Sequence, residues 1–366
     1  MLVTPYQQIA IRSINGTQLM QFLPEDIQTL QWSRELRDTS KCVAQLKHIL
    51  DMEGNAPPIV PWLHWIDVYS TDPTPVLYWT GPLQSINMDR YGTSISAADV
   101  STFNARTRVP LTKSWNAVDP SVPALAMWEA MLEFQGITTV KPIQRLDPWG
   151  DRFDCTFTAD SKMLDKAIND LEQMGLRWTV ISGVPIIGPM PYDPIGSLSQ
   201  DDFLQRGVML TRDGSKIYND ILLKGPDALA SGRVELYGLN LQTIVTINNM
   251  FGLTNVNNAV QQYARNVGQM KSTIQVPQGT VLDPRVNLNI NQMVPSARFA
   301  VTAFGIRLRM ELESISVQCQ SGVTQVQVQL NEVPTWTEIG EMLESGGQSS
   351  VQSGTRNTLA AGDGMI

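Results

Sequence analysis

Histidine and cysteine are scarce. The chain of 366 residues has two histidines, His48 and His64, and three cysteines, Cys42, Cys155 and Cys319. The cysteines are odd in number, lie more than a hundred residues apart and form no CxxC pair or Cys/His cluster. Neither a disulfide framework nor a zinc site is expected from them. Charged residues are also thin, at 17% against about 25% in an average soluble protein, a deficit that suits surface covered by other subunits. Lys and Arg total 27 against 35 Asp and Glu, for a net charge of −8. That balance disfavours a polyanion ligand, because nucleic-acid affinity comes largely from cations that displace counterions. No stretch approaches the ~20 apolar residues of a membrane span. The opening MLVTPYQQIAIRS lacks a basic segment followed by an apolar run, so no signal peptide is read and a soluble protein of a reducing compartment is expected. GxxxxGK[ST], GxSxG and HExxH are absent too, which removes the motif evidence for a phosphate loop, a nucleophile elbow or a zinc protease.

What is present is mostly strand signal, with 42% apolar residues to build a core. Over residues 1–112 apolar and polar residues alternate with period two, as in half-buried strands: Leu63 to Tyr69, Val76 to Thr80, Leu83 to Met88 and Ser94 to Ala98. Short strands with frequent turn signals predict a first β-barrel there. Over 113–194 the period turns helical. Ser121 and Pro123 open a helix striped by Leu125, Trp128, Met131 and Leu132 and closed by Gly136. A second helix carries Leu164, Ala167, Ile168 and Leu171 and ends at Gly175, followed by a strand from Leu176 to Val180. This predicts a small α/β domain. Over 195–334 the β pattern returns, predicting a second barrel. Val208 to Thr211 and Ile217 to Lys224 read as a hairpin around Arg212-Asp213-Gly214-Ser215. Phe304 to Leu312 alternates with Arg307, Arg309, Glu311 and Glu313, and Val326, Val328 and Leu330 alternate with Gln325, Gln327 and Gln329. A helix is inserted at about 255–270, with Val256, Val260, Tyr263, Ala264 and Val267 on one face. Residues 335–366 read as a short capped helix from Thr335 and an extended arm too polar to order itself, suited to docking on a neighbour. The fold class is thus mainly β with α+β: two barrels flanking a small α/β domain.

Candidate chemistry is sparse. Neither histidine has a nucleophile or carboxylate placed beside it by any motif, so both read as structural. Glu311 and Glu313 share a strand face about 6–7 Å apart by strand rise, a glycosidase-like spacing. Arg307 and Arg309 on that face make a solvated ion-pair ladder the plainer reading. Asp147 to Asp154 misses the calcium-loop spacing. Trp62, Trp65 and Trp79 fall in one β region, where core or subunit contact is the commoner use than sugar stacking. No catalytic, cofactor-binding or metal-binding residue is assigned, and no enzyme activity is expected.

Three runs carry a family likeness: Trp65-Ile66-Asp67-Val68-Tyr69, Val76 to Leu83 through Trp79-Thr80-Gly81-Pro82, and Ile95 to Val100 closing on Arg106-Thr107-Arg108-Val109. With the earlier Trp32-Ser33-Arg34-Glu35-Leu36-Arg37-Asp38, they resemble the tail-hub minor tail proteins of long non-contractile-tailed phages that infect actinobacteria. The resemblance covers the first hundred residues best. It implies a virion protein assembled in the host cytoplasm: a homotrimer whose paired barrels form a pseudo-six-fold ring. Such a ring joins the distal tail protein or tail tube above to fibre or spike proteins below, and lets DNA and the tape-measure protein pass. It implies no cofactor and no sequence-specific nucleic-acid binding. A faint echo between Val76 to Pro82 and Ile221 to Pro226 agrees with such a duplication. The alternative is a carbohydrate-active or cell-wall-binding tail protein resting on the tryptophans and on Glu311 and Glu313.

Overall fold

The computed structural model describes residues 3, 6–47, 57–89, 91–148, 152–204, 207–212, 214, 217–224, 228–246, 260, 264, 272–320 and 322–333. His48, most of the expected inserted helix and the whole of 335–366 lie outside them. Contacts divide the chain into two compact units, Met1–Val208 with Val276–Glu332, and Met209–Gln275 with Val333–Ile366.

The first unit is mainly antiparallel β. Its N-terminal segment forms β1 (Gln7–Ser13), β2 (Gln18–Phe22), β3 (Ile27–Glu35), β4 (Lys41–Leu46), β5 (His64–Ser70), β6 (Leu77–Asp89) and β7 (Gly92–Ala98). The expected alternation is plain in β3, where Leu30, Trp32 and Arg34 point inward and are buried while Gln31, Ser33 and Glu35 point outward. The sequence suggests a break at Gly81-Pro82, yet β6 runs through it as one strand of 13 residues. Leu77 to Pro82 pairs with β5, and Leu83 to Asp89 pairs with β7. Gly81 sits at this change of partner because a Cβ there would meet the Ala98 carbonyl oxygen at 2.1 Å, and Pro82 needs no ladder donor.

Next come β8 (Lys113–Val118), α1 (Ser121–Phe134), β9 (Ile143–Gln144), β10 (Phe153–Phe157), α2 (Leu164–Gln173), β11 (Trp178–Ile181) and β12 (Val184–Ile187). α1 buries Trp128, Met131 and Leu132, with Leu125 half-buried beside them, and α2 buries Leu164, Ala167, Ile168 and Leu171 against one core, in which Trp128 and Trp178 lie 5.7 Å apart. Each such fully buried large apolar side chain contributes about 1.5–3 kcal/mol relative to exposure. Ser121 is not the cap: the Asp119 carboxylate accepts the Ser121 N–H at 2.8 Å. Leading back to sheet are β13 (Gly196–Ser199) and β14 (Phe203–Leu204).

In the second unit are β15 (Met209–Arg212), β16 (Asp220–Lys224), β17 (Leu229–Arg233) and β18 (Gln242–Thr246). The expected hairpin of β15 with β16 is not formed. β15 pairs instead with Ser272–Gln275, and β16 lies between β17 and β18. Ile221, Leu223, Ala230 and Val245 pack on Val260 and Ala264, two of the residues expected on the inserted helix face.

β19 (Ser272–Leu282) returns the chain to the first unit, followed by β20 (Arg298–Ala303), β21 (Ile306–Gln320) and β22 (Val323–Glu332). Strand pairing then runs β14-β19-β22-β21-β3-β4-β7-β6-β5-β1-β2, with β13 and β20 added beside β21. The β21–β3 pair, Ser314↔Glu35 to Gln320↔Thr29, puts strands from 1–112 and 195–334 in one sheet. Sequence boundaries separated these strands because backbone pairing of distant segments leaves no local pattern.

Candidate functional site

The antiparallel registers place one outward residue of each strand beside the next. One row runs Gln325, Gln318, Gln31, Val43, Ser96, Ser85 across β22, β21, β3, β4, β7 and β6. The adjacent row is Val323, Gln320, Thr29, Gln45, Ser94, Asn87. Two shorter rows follow, Gln327, Ser316, Ser33 and Gln329, Ser314, Glu35. The face is therefore a field of amides and hydroxyls. Cross-strand hydrogen bonds knit it, from Gln31 Nε2 to Ser316 Oγ at 3.2 Å and between the Ser85 and Ser96 hydroxyls at 2.7 Å.

Charges interrupt it at Glu35, Lys41 and, at the end of β6, Asp89. Glu35 and Lys41 line a groove of about 360 Å³ on this face with Gln31, Ser33, Gln278 and Gln327. Burial pushes the Glu35 carboxyl up to about 7, opposed by the Ser33 hydroxyl and reinforced by Asp38, Glu313 and Asp99. Behind it Asp99, fully buried, is raised to about 6 by burial although it accepts the Ser40 and Ser101 N–H groups at 2.9 and 2.8 Å. On the inner side of β3, the Arg34 guanidinium is buried without a carboxylate. It donates to the Ile290 and Tyr78 carbonyls at 2.8 and 3.0 Å and lies over the Trp32 ring, and burial lowers its pKa to about 10.

The residues weighed for chemistry are scattered. His64 is buried and its Nδ1 accepts the Val60 N–H at 2.9 Å. Trp65 and Trp79 are core residues, while Trp62 is half-buried against Phe103 under the Arg106 guanidinium. Asp147 accepts from the Tyr192 hydroxyl and Asp154 from the Ala117 N–H. Glu311 is not on a solvated ladder with Arg307 and Arg309. It is buried, bonded to Arg177 Nε at 3.1 Å and Ser296 Oγ at 2.8 Å, with Arg298 at 3.7 Å. Glu313 faces Arg37 at 3.6 Å. Arg177 and Arg298 reach Glu311 from other elements, which strand spacing cannot register. Burial raises all three cysteine thiols, which keeps them as poorly nucleophilic thiols. Among the described residues no group of three His, Cys, Asp or Glu could hold a metal ion, and no helix is long and apolar enough to cross a membrane.

No family model matches the chain, and no curated protein matches it in sequence. Solved structures do. The 43 kDa tail protein of prophage MuSo2 from Shewanella oneidensis superposes with a TM-score of 0.56 at 13% identity, over 88% of this chain and 97% of that one. The chain shares the fold of that tail protein. A tail protein from Neisseria meningitidis shares it with a TM-score of 0.53 at 12% identity, over 91% and 98% of the two chains. So does a prophage tail protein from Listeria monocytogenes, at 0.51 and 9% identity, over 92% and 99%. The tail-protein fold agrees with the β-rich class read from the sequence and extends over nearly the whole of each neighbour.

Proposed function

We propose that the chain is a structural tail-tip hub of a phage, and that its amide and hydroxyl sheet face lines a duct. The observation that carries this reading is the predominance of uncharged amides and hydroxyls on that face, broken by Glu35, Lys41 and Asp89, in a protein of net charge −8. A passing DNA polyanion finds a single cation there among the described residues, Lys41, beside the Glu35 carboxyl, too little to release many counterions and so little grip, while the protein's overall acidity discourages lateral binding. A tape-measure polypeptide meets only weak, exchangeable hydrogen bonds. Strands from both β segments build the face, so three copies would present six strand sets around a lumen. In this reading the chain is a homotrimer in the virion. It contacts the distal tail protein or tube ring above and fibre or spike proteins below, uses no cofactor and catalyses nothing.

The carbohydrate-active alternative has little support, since Glu311 is closed off by Arg177 and Arg298 and Trp65 and Trp79 are buried. The test is the mass and image of the purified protein together with a charged duct variant. A trimer with a central channel is expected. Gln31→Lys with Gln318→Lys should leave tail assembly intact while slowing DNA delivery. A channel-free monomer in assembled tails overturns the reading.

A further inference from the structure

The tip of the β20–β21 hairpin is a two-residue turn, Phe304-Gly305, closed by the pair Ala303↔Ile306. Both residues have left-handed backbone, φ 53° and 76°. Turns of this kind favour Asn-Gly, because a bulky side chain is strained at positive φ. A phenylalanine stands there instead, 47% exposed. It is also held firmly: its N–H donates to Gln200 Oε1 at 3.3 Å, in the turn that follows β13, and β13 pairs with β20. Strain maintained by surrounding structure around an exposed aromatic side chain is a mark of a working contact.

At the opposite end of β21 lies a groove of about 430 Å³ lined by Tyr6, Pro24, Glu25, Ile27, Cys319 and Gly322. The Tyr6 ring stands 3.5 Å from where a Cβ on Gly322 would be, an ordinary contact distance, so the ring lies beside the turn. Leu23 and Val323, next in sequence to two of these residues, are 45% and 61% exposed. The groove thus has apolar walls from Tyr6, Pro24, Ile27 and Leu30, amides from Gln7, Gln28 and Gln320, and one acid, Glu25. The tip carries a matching cation, Arg307, exposed and opposite Thr302 at the hairpin's end. Neither Arg307 nor Glu25 has an ion-pair partner among the described residues. Tip and groove lie at the two ends of a strand of 15 residues, about 50 Å apart by strand rise, so one copy cannot fill its own groove.

We propose that Phe304 of one copy seats in the groove of the next, with Arg307 against Glu25. The contact is heterologous: every copy offers a tip and a groove, and repetition closes into a ring or runs on as a filament. It supplies a subunit contact for the hub reading and rests on that reading only for the number of copies. The test uses the full chain, with native mass and sedimentation over a range of concentrations. Phe304→Gly removes the ring and relieves the turn. It should keep or raise the thermal midpoint while weakening self-association by roughly tenfold or more, the size of a hot-spot loss. Arg307→Glu should weaken it as well, and adding Glu25→Arg should restore it. Undiminished association of Phe304→Gly, a charge swap that rescues nothing, a wild-type chain that stays monomeric throughout, or a different protein seated on Phe304 in assembled tails overturns the proposal. Rings that persist in Phe304→Gly overturn this contact alone and leave the hub reading standing.

Discussion

Glu35 sits where the polar face meets Asp38, Glu313 and Asp99, and its raised pKa has a thermodynamic sign. Burial and the nearby Asp38, Glu313 and Asp99 push it up to about 7, above the usual carboxylate range. The folded state therefore binds this proton more tightly than the unfolded one. The associated stability is fully present below the unfolded pKa and lost as pH rises through about 7, the reverse of an ion-paired carboxylate. Glu35→Gln should raise the thermal midpoint relative to wild type at about pH 8, with the difference vanishing near pH 4, and unfolding scans at the two pH values check it. At this scale the sequence is only partly legible. The alternating Gln residues of β22, Gln325, Gln327 and Gln329, are visible from alternation alone. Arg34, Asp99 and the Arg177–Glu311–Arg298 cluster are not, because each draws its partners from residues far away in the chain.

Elements were read well where periodicity is strong and less well where pairing is non-local. Both helices and the β21–β22 hairpin stand where the patterns predict. The apolar phase of β21 shifts between Leu312 and Ile315 in the sequence, and the register shifts between Leu312 and Ser314 in the sheet. Turn chemistry around Asp213-Gly214 suggested a hairpin that β15 forgoes for Ser272–Gln275, since turn residues permit a reversal without choosing a partner. At α1 the misplaced cap has a measurable consequence. Asp119 takes the Ser121 and Asp147 N–H groups and the Arg152 guanidinium at 2.8, 2.9 and 2.7 Å. Asp119→Ala should lower stability by about 1–2 kcal/mol, the range for a lost cap, whereas Ser121→Ala should cost less. Urea unfolding of the two variants separates them.

In the molecule as a whole, β3 is flanked by β4, its neighbour in sequence, and by β21, which arrives nearly three hundred residues later. Ladders between such distant segments form slowly, because loop closure precedes any gain. During synthesis the β3 edge, with its row of unpaired N–H and C=O groups, stays open until residues 314–320 have left the ribosome. Open edges recruit other strands. A fragment ending at Val208 should therefore be largely insoluble when expressed alone and recover solubility when residues 276–333 are supplied in trans, as fractionation of the two would show. The late arrival of β21 also means that a chain cut short before residue 314 has no partner for that edge of β3, so completeness of the sheet reports completeness of the chain up to β21.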